Sequence, residues 1–262
     1  MSGSLTNRKV NLLQATSINM IDMVGIGPFV VMPFVFSQFH NGLFLWAWIF
    51  GAFTALMDGM IWSELGAKYP LAGGTYNFHR IAFGEKGGKM MSFLFVWQTA
   101  IQAPLVVASA AIGFAQYLTY IVPLGDIGEK IVSGGLVLFV GFLLYRKIEA
   151  VGKISVIFGI IVIVTIVWII ISGFSHQQHT VHILPTGNES FFSGAFWAMI
   201  GHGSLKTVYS YLGYYNVCHL GGEIKQPGKN IPRSIFISII GIAALYILMN
   251  LSVMSVMPFN SI

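Results

Sequence analysis

Long apolar runs dominate the chain, and short polar or basic stretches separate them. About seven of these runs approach or exceed the ~20 residues that an α-helix needs to cross a bilayer. We therefore predict an all-α integral membrane protein with a single transmembrane domain over residues 1–262. The predicted spans lie at about 15–37, 43–63, 88–120, 131–145, 154–173, 191–219 and 234–257.

The composition supports a chain that is embedded in lipid. Hydrophobic residues make up 55% of the 262 residues and charged residues only 9%, whereas a soluble domain carries about 25% charge. The 30 glycines fit close packing between membrane helices. Cys218 is the one cysteine, so a disulfide within the chain is excluded.

Lysine and arginine gather in alternate loops, which sets the predicted orientation. Cytoplasmic loops of membrane proteins carry an excess of these residues, so we expect the N-terminus to face the cytoplasm. We expect the protein itself to lie in the cell (plasma) membrane. The basic loops then account for the net charge of +5, which therefore does not indicate a nucleic acid partner. The basic residues of these loops are Arg8 and Lys9; Lys68, Arg80, Lys86 and Lys89; Arg146, Lys147 and Lys153; and Lys225, Lys229 and Arg233, whereas the other loops hold only Lys130.

Two of the predicted spans contain residues that interrupt helices. In the first, Gly25-Ile26-Gly27-Pro28 stands mid-run, although an interior glycine costs about 1 kcal/mol and an interior proline about 3. The sixth span places glycine and small polar residues within 201–204 and again within 209–213. Two interpretations of such breaks stay open, a simple kink or a binding site, and paired interrupted spans are typical of a transporter site at mid-membrane.

Two loop motifs resemble those of a known superfamily. The sequence from Ser63 to Tyr76, SELGAKYPLAGGTY, resembles the loop after the second helix of amino acid–polyamine–organocation (APC) permeases. The sequence from Gly222 to Ser234, GEIKQPGKNIPRS, is similar to the loop after the sixth helix, especially in the L-amino-acid transporter-like branch.

The resemblance implies an inverted repeat of five plus five helices, in which helices one and six unwind at the substrate. Members of this superfamily usually have about twelve helices. We expect this chain to hold the first repeat and the start of the second, as a truncated portion that does not transport alone.

The two breaks supply the predicted substrate-binding residues. Amide groups at Gly25, Ile26 and Gly27, with the positive end of the following half-helix, would suit a carboxylate. Carbonyl groups at the second break carry partial negative charge and would suit an ammonium group. The residues expected there are Tyr209, Ser210, Tyr211 and Gly213.

Four charged residues are candidates for coupling or gating. Asp22 would take a proton or lie near a cation, or else reach cytoplasmic water. Asp58 is expected to be paired or to lie near a cytoplasmic vestibule, and Lys206 to face the cavity or to extend towards the outer interface. The resemblance implies an inner gate for Glu223, for which a solvated loop is the alternative.

The predicted function is secondary active transport of amino acids or related amines by alternating access. A proton or sodium ion is the expected coupling partner, and the lipid bilayer is the surrounding partner. The alternatives are a transport-incompetent paralogue with a binding or regulatory role and, third, a membrane-embedded enzyme. We predict no catalytic residues, no cofactor and no metal site, because the series His176, His179 and His182 is expected in a solvated loop.

Overall fold

A computed structural model describes residues 8–25, 27–39, 41–145, 148–178, 180–181, 183–184 and 193–256. Helices dominate this part of the chain, and its only bridges of β type are isolated pairs, Val10 with Ile224 and Ala72 with Leu220. The all-α prediction is therefore confirmed. The α-helices are α1 (Leu12–Met23), α2 (Gly27–Phe36), α3 (Phe44–Lys68), α4 (Thr75–Ala82), α5 (Gly84–Thr119), α6 (Asp126–Leu144), α7 (Ile148–Ser175), α8 (Gly194–Tyr211) and α9 (Pro227–Val256).

Several helices have the length and hydropathy of membrane spans. Within the described residues, α3, α5 and α9 each meet both requirements. The pair α1 and α2 meets them jointly and bends by 49° at the break between the two helices. The helices α6, α7 and α8 overlap in sequence with the other three predicted spans. That these three helices cross a bilayer remains a prediction.

The chain divides into two compact units. The first comprises Met1–Gly74 and Gly159–Ile262, and the second comprises Thr75–Phe158. In the first unit, α3 packs along α8 and α9, while α1 packs against α9 and α2 against α8. In the second unit, α5 packs against α4 and α6. Both predicted helix breaks lie in the first unit.

The start of α1 is held by local hydrogen bonds and by a distant loop. Asn11 caps the helix, because its side chain accepts a hydrogen bond from the Gln14 amide and the Gln14 side chain accepts one from the Asn11 amide. Just before this cap, the Val10 amide donates to the Glu223 carbonyl, and the Lys225 amide donates to the Val10 carbonyl. The loop after α8 is therefore attached to the start of α1.

The structure corrects the position of the interruption that we predicted in the sixth span. Helix α8 continues without a break through residues 201–204 and ends only at Tyr211. A methyl group added at Gly203 would lie 2.7 Å from the Phe39 ring and 3.0 Å from Ala47 Cβ. This glycine therefore permits the close approach of neighbouring chain segments. Of the residues 209–213 that we predicted to interrupt the span, Tyr209, Ser210 and Tyr211 are helical, and a turn begins only at Leu212.

We predict that Gly173→Ala destabilises the first unit. The new methyl carbon would lie 2.6 Å from the carbonyl oxygen of Ser252 in α9, and backbone atoms cannot rotate away. A loss of about 1–3 kcal/mol is expected from such overpacking, measured as a lower midpoint of thermal unfolding in detergent.

Gly134→Ala in α6 is the matched control. A methyl group there meets no atom within 4 Å among the described residues, and alanine is the better helix former. An unchanged or higher midpoint is expected for the control, and equal midpoints for the two variants would contradict the close α7–α9 contact.

Candidate functional site

The first break lies between α1 and α2. Helix α1 ends at Met23, where the Val24 amide still donates to the Met20 carbonyl, and α2 begins at Gly27. Pro28 occupies the second position of α2, a place where a missing amide hydrogen costs no intrahelical bond. Gly25 is exposed in a bend, and Ile26, a predicted site residue, lies outside the described residues.

The second break follows α8. Leu212 adopts an extended conformation, and Gly213 has a φ of +126°, which favours glycine. The chain then forms a 3-10 helix at Asn216–His219 before it enters the loop that precedes α9. The α-helix thus stops abruptly after Tyr211, and the last carbonyl groups of α8 have no partners within the helix.

The two breaks adjoin one another in the first unit. A methyl group at Gly27 would lie 3.8 Å from the Tyr209 ring and 3.9 Å from Ser210 Oγ. A methyl group at Gly213 would lie 2.8 Å from Asp22 Oδ2 and 2.9 Å from the Met23 amide nitrogen. Each break therefore presents a glycine to the residues of the other.

Polar side chains of α1 hold the segment that follows the second break. The Asn216 side chain donates a hydrogen bond to the Asp22 carboxylate. The Val217 amide donates to the buried side-chain oxygen of Asn19 over 3.1 Å. Asp22, a candidate coupling residue, therefore lies at the junction of the two breaks.

Tyr246 of α9 joins the two helix ends directly. Its hydroxyl oxygen lies 2.9 Å from the Met23 carbonyl oxygen and 3.4 Å from the Ser210 carbonyl oxygen. The side chain is fully buried. Sequence reasoning missed this residue, although a tyrosine within an apolar helix is a signal that could have drawn attention to it.

The predicted tyrosines of α8 have different surroundings. Tyr209 is 56% exposed. Its ring contributes the nearest atom, at 3.8 Å, to a methyl group added at Gly27. Tyr211 is fully buried, and its hydroxyl group donates to the Trp48 carbonyl over 3.2 Å. Of the two rings, Tyr209 therefore offers the more accessible surface to a ligand.

The remaining gating candidates lie away from this junction or at its edge. Asp58 Oδ2 accepts hydrogen bonds from the Tyr214 hydroxyl group over 2.6 Å and from the Trp62 indole over 2.9 Å. The exposed Lys206 has its Nζ 4.9 Å from the centre of the Phe34 ring in α2. The Glu223 side chain is exposed, whereas its carbonyl group accepts the bond from Val10.

Of the three histidines in the series, His176 is the one among the described residues. His176 Nδ1 lies 3.0 Å from the Ser172 carbonyl oxygen at the end of α7. His179 and His182 lie outside the described residues.

The electrostatics of the junction suit a small zwitterion. The first turn of a helix leaves amide groups unpaired and carries partial positive charge, whereas a C-terminal end carries partial negative charge. The start of α2 and the ends of α1 and α8 meet at this junction. The arrangement can therefore present amide donors to a carboxylate and carbonyl acceptors to an ammonium group.

Comparison with known families defines the class of protein. The profile of the family described as "Amino acid permease" matches residues 10–262. The chain belongs to this family, within the APC superfamily, and is an integral membrane protein.

Similar curated proteins carry transport names. The serine/threonine exchanger SteT of Bacillus subtilis is 26% identical over 97% of this chain and 56% of its own length. The aspartate-proton symporter of Bacillus subtilis is 23% identical over 98% of this chain and 50% of its own length. The Asc-type amino acid transporter 1 of Mus musculus is 25% identical over 95% of this chain and 48% of its own length. The chain thus spans about half the length of these relatives.

We predict that Gly213→Ala separates the two breaks. An alanine side chain would be strained at this φ and would collide with Asp22 and Met23. Such a strained backbone costs about 1–3 kcal/mol, so the midpoint of thermal unfolding should fall. Gly201→Ala, at an open position within α8, is the control. Equal midpoints for the two variants would contradict the close packing of Gly213 against the end of α1.

Proposed function

We propose that this chain forms the substrate-holding part of an amino acid transporter. The observation that carries the proposal is the meeting of two interrupted helices at Gly27 and Ser210, because unwound helices at mid-membrane are where transporters bind substrate. Relatives named as a serine/threonine exchanger and an aspartate-proton symporter support an amino acid or a related amine as the substrate.

In the proposed complex, the substrate carboxylate binds the amide groups at Gly25, Ile26 and Gly27. The substrate ammonium group binds the carbonyl groups of the second break, at Tyr209, Ser210, Tyr211 and Gly213. Tyr209 then covers the side chain of the substrate, because its ring is exposed beside Gly27. Each half of the zwitterion meets a helix end of opposite partial charge.

Alternating access would open this junction to one side of the membrane at a time. Asp22 lies against the second break and is the proposed site of coupling to a proton or sodium ion. Lys206, Asp58 and Glu223 are the proposed gating residues. By the distribution of basic loops, the N-terminus faces the cytoplasm and the protein lies in the cell membrane.

A binding or regulatory membrane protein is the second candidate function. The chain spans about half the length of the curated relatives that it matches. Both candidate functions need the same substrate site. They therefore predict the same affinity for the amino acid, and they differ in whether the amino acid is taken up across the membrane.

Paired binding and uptake measurements separate these functions. The protein in lipid nanodiscs is titrated with a panel of L-amino acids and their amines, and reconstituted vesicles are tested for uptake of the same compounds. Saturable binding with uptake supports the transporter, whereas saturable binding without uptake supports the substrate site that both candidates share. Absence of binding across the panel would contradict both.

We expect Gly27→Val to abolish amino acid binding without preventing insertion into the membrane. The branched side chain would extend towards Tyr209 and Ser210 and would fill the space between the breaks. Gly134→Val, at an open position in α6, controls for the substitution itself. Affinity that survives in Gly27→Val would show that the first break is only a kink.

A further inference from the structure

One side of α5 begins with two lysines and continues with large apolar side chains. Lys86 and Lys89 lie near the start of the helix, and both are exposed. Met90, Phe93 and Trp97 follow, and each of them is more than half exposed. The spacing of three or four positions places all five residues along one side of the helix, here called the α5 stripe.

The opposite side of α5 is covered by α4, which belongs to the same compact unit. The Ser92 hydroxyl group donates to the Tyr76 carbonyl over 2.9 Å. A methyl group at Gly88 would lie 2.7 Å from the Arg80 carbonyl oxygen, so the two helices are in backbone contact there. This packing buries Gly88 and Ser92 and leaves the α5 stripe uncovered by the residues that the structure describes.

The α5 stripe crosses the level at which the helix enters hydrocarbon. No charged residue follows Lys89 in the sequence until Asp126, and α5 has the length and hydropathy of a membrane span. A lysine at such a boundary keeps its ammonium group at the level of the lipid headgroups. Trp97 lies about 12 Å farther along the helix axis, at 1.5 Å per residue. That distance fits within the roughly 15 Å of hydrocarbon in one leaflet.

This order of charge and apolar surface matches the chemistry of an anionic phospholipid. Ammonium groups form charge-assisted hydrogen bonds with a headgroup phosphate. The rings of Phe93 and Trp97 are stacked with their centroids 6.4 Å apart, and they offer a broad surface to an acyl chain. Glu85 is the one acidic residue within 75–125, so the start of α5 keeps a net positive charge.

We propose that the α5 stripe is a binding site for an anionic phospholipid of the surrounding bilayer. Lys86 and Lys89 contact the headgroup phosphate, and the three apolar residues contact one acyl chain. A zwitterionic phospholipid binds more weakly, because the lysines repel the cationic group of its headgroup. This site does not depend on the proposed substrate site, whose residues belong to the other compact unit.

Native mass spectrometry of the whole chain in detergent tests the site by giving a Kd for each added lipid. The probes are phosphatidylglycerol and phosphatidylcholine with the same acyl chains. The unmodified protein should bind phosphatidylglycerol the more tightly. The double variant Lys86→Gln and Lys89→Gln should bind phosphatidylglycerol about 25-fold more weakly, about fivefold for each lysine, with little change for phosphatidylcholine.

Lys130→Gln is the matched control for the loss of a positive charge. Lys130 is exposed near the start of α6, and its neighbour Glu129 lies 3.1 Å from the Thr119 hydroxyl oxygen at the far end of α5. The control should keep the phosphatidylglycerol Kd of the unmodified protein. An equal loss of affinity in Lys130→Gln would show that net charge alone attracts the lipid, which would overturn the proposal.

A second readout tests the contact with the acyl chain. Brominated acyl chains quench the fluorescence of the tryptophans that they touch, so brominated phosphatidylglycerol should quench the unmodified protein more than it quenches Trp97→Phe. The difference should shrink in high salt, because salt screens the attraction of the headgroup to the lysines. Both results use proteins with intact lysines, so they decide the proposal even if the double variant does not fold.

Three outcomes would overturn the site. The first is an equal Kd for the two lipids, and the second is equal quenching of the unmodified protein and Trp97→Phe. The third is full competition by glycerol phosphate at the concentration of the lipid, which would show an anion site that needs no acyl chain. A dimer of the unmodified protein that binds no phosphatidylglycerol would also overturn it, because a second copy would then cover the α5 stripe.

Discussion

Backbone amide and carbonyl groups inside a bilayer must find partners within the protein, because lipid tails offer none. The two helix breaks of this permease release such groups in the middle of its first compact unit. The Tyr246 hydroxyl group lies within hydrogen-bond distance of a carbonyl group at each helix end, with the shorter distance to Met23, and Asn19 supplies an acceptor to the chain after the second break. The packing of α9 against α1 and α8 places these side chains beside the broken helices.

The helix ends at the junction differ in their surroundings. The C-terminal ends are joined through α9, whereas the first turn of α2 begins beside the exposed Gly25 and the half-exposed ring of Tyr209. The accessible part of the junction therefore lies at the start of α2, beside the Tyr209 ring. Under the proposed function, a zwitterion would bind at this accessible part of the junction, which would link the cost of the breaks to their use.

The sequence predicts the parts of this structure that local chemistry decides. Glycine and proline at 25–28 predict the first break, and long apolar runs predict the helices. Residues 201–204 look like a break for the same reason, yet α8 continues there because Gly203 accommodates Phe39 and Ala47. The contacts of Tyr246 with Met23, 223 positions away, and with Ser210, 36 positions away, depend on helix packing. No local pattern could reveal them.

The most direct measurement is a density map of the protein in lipid nanodiscs with a bound amino acid, compared with a map of the ligand-free protein. If the two breaks form one site, the added density lies between Gly27 and Ser210. Its carboxylate then faces the start of α2, and its ammonium group faces the end of α8. Added density elsewhere in the protein, or saturable binding with no density between the breaks, would contradict a shared site.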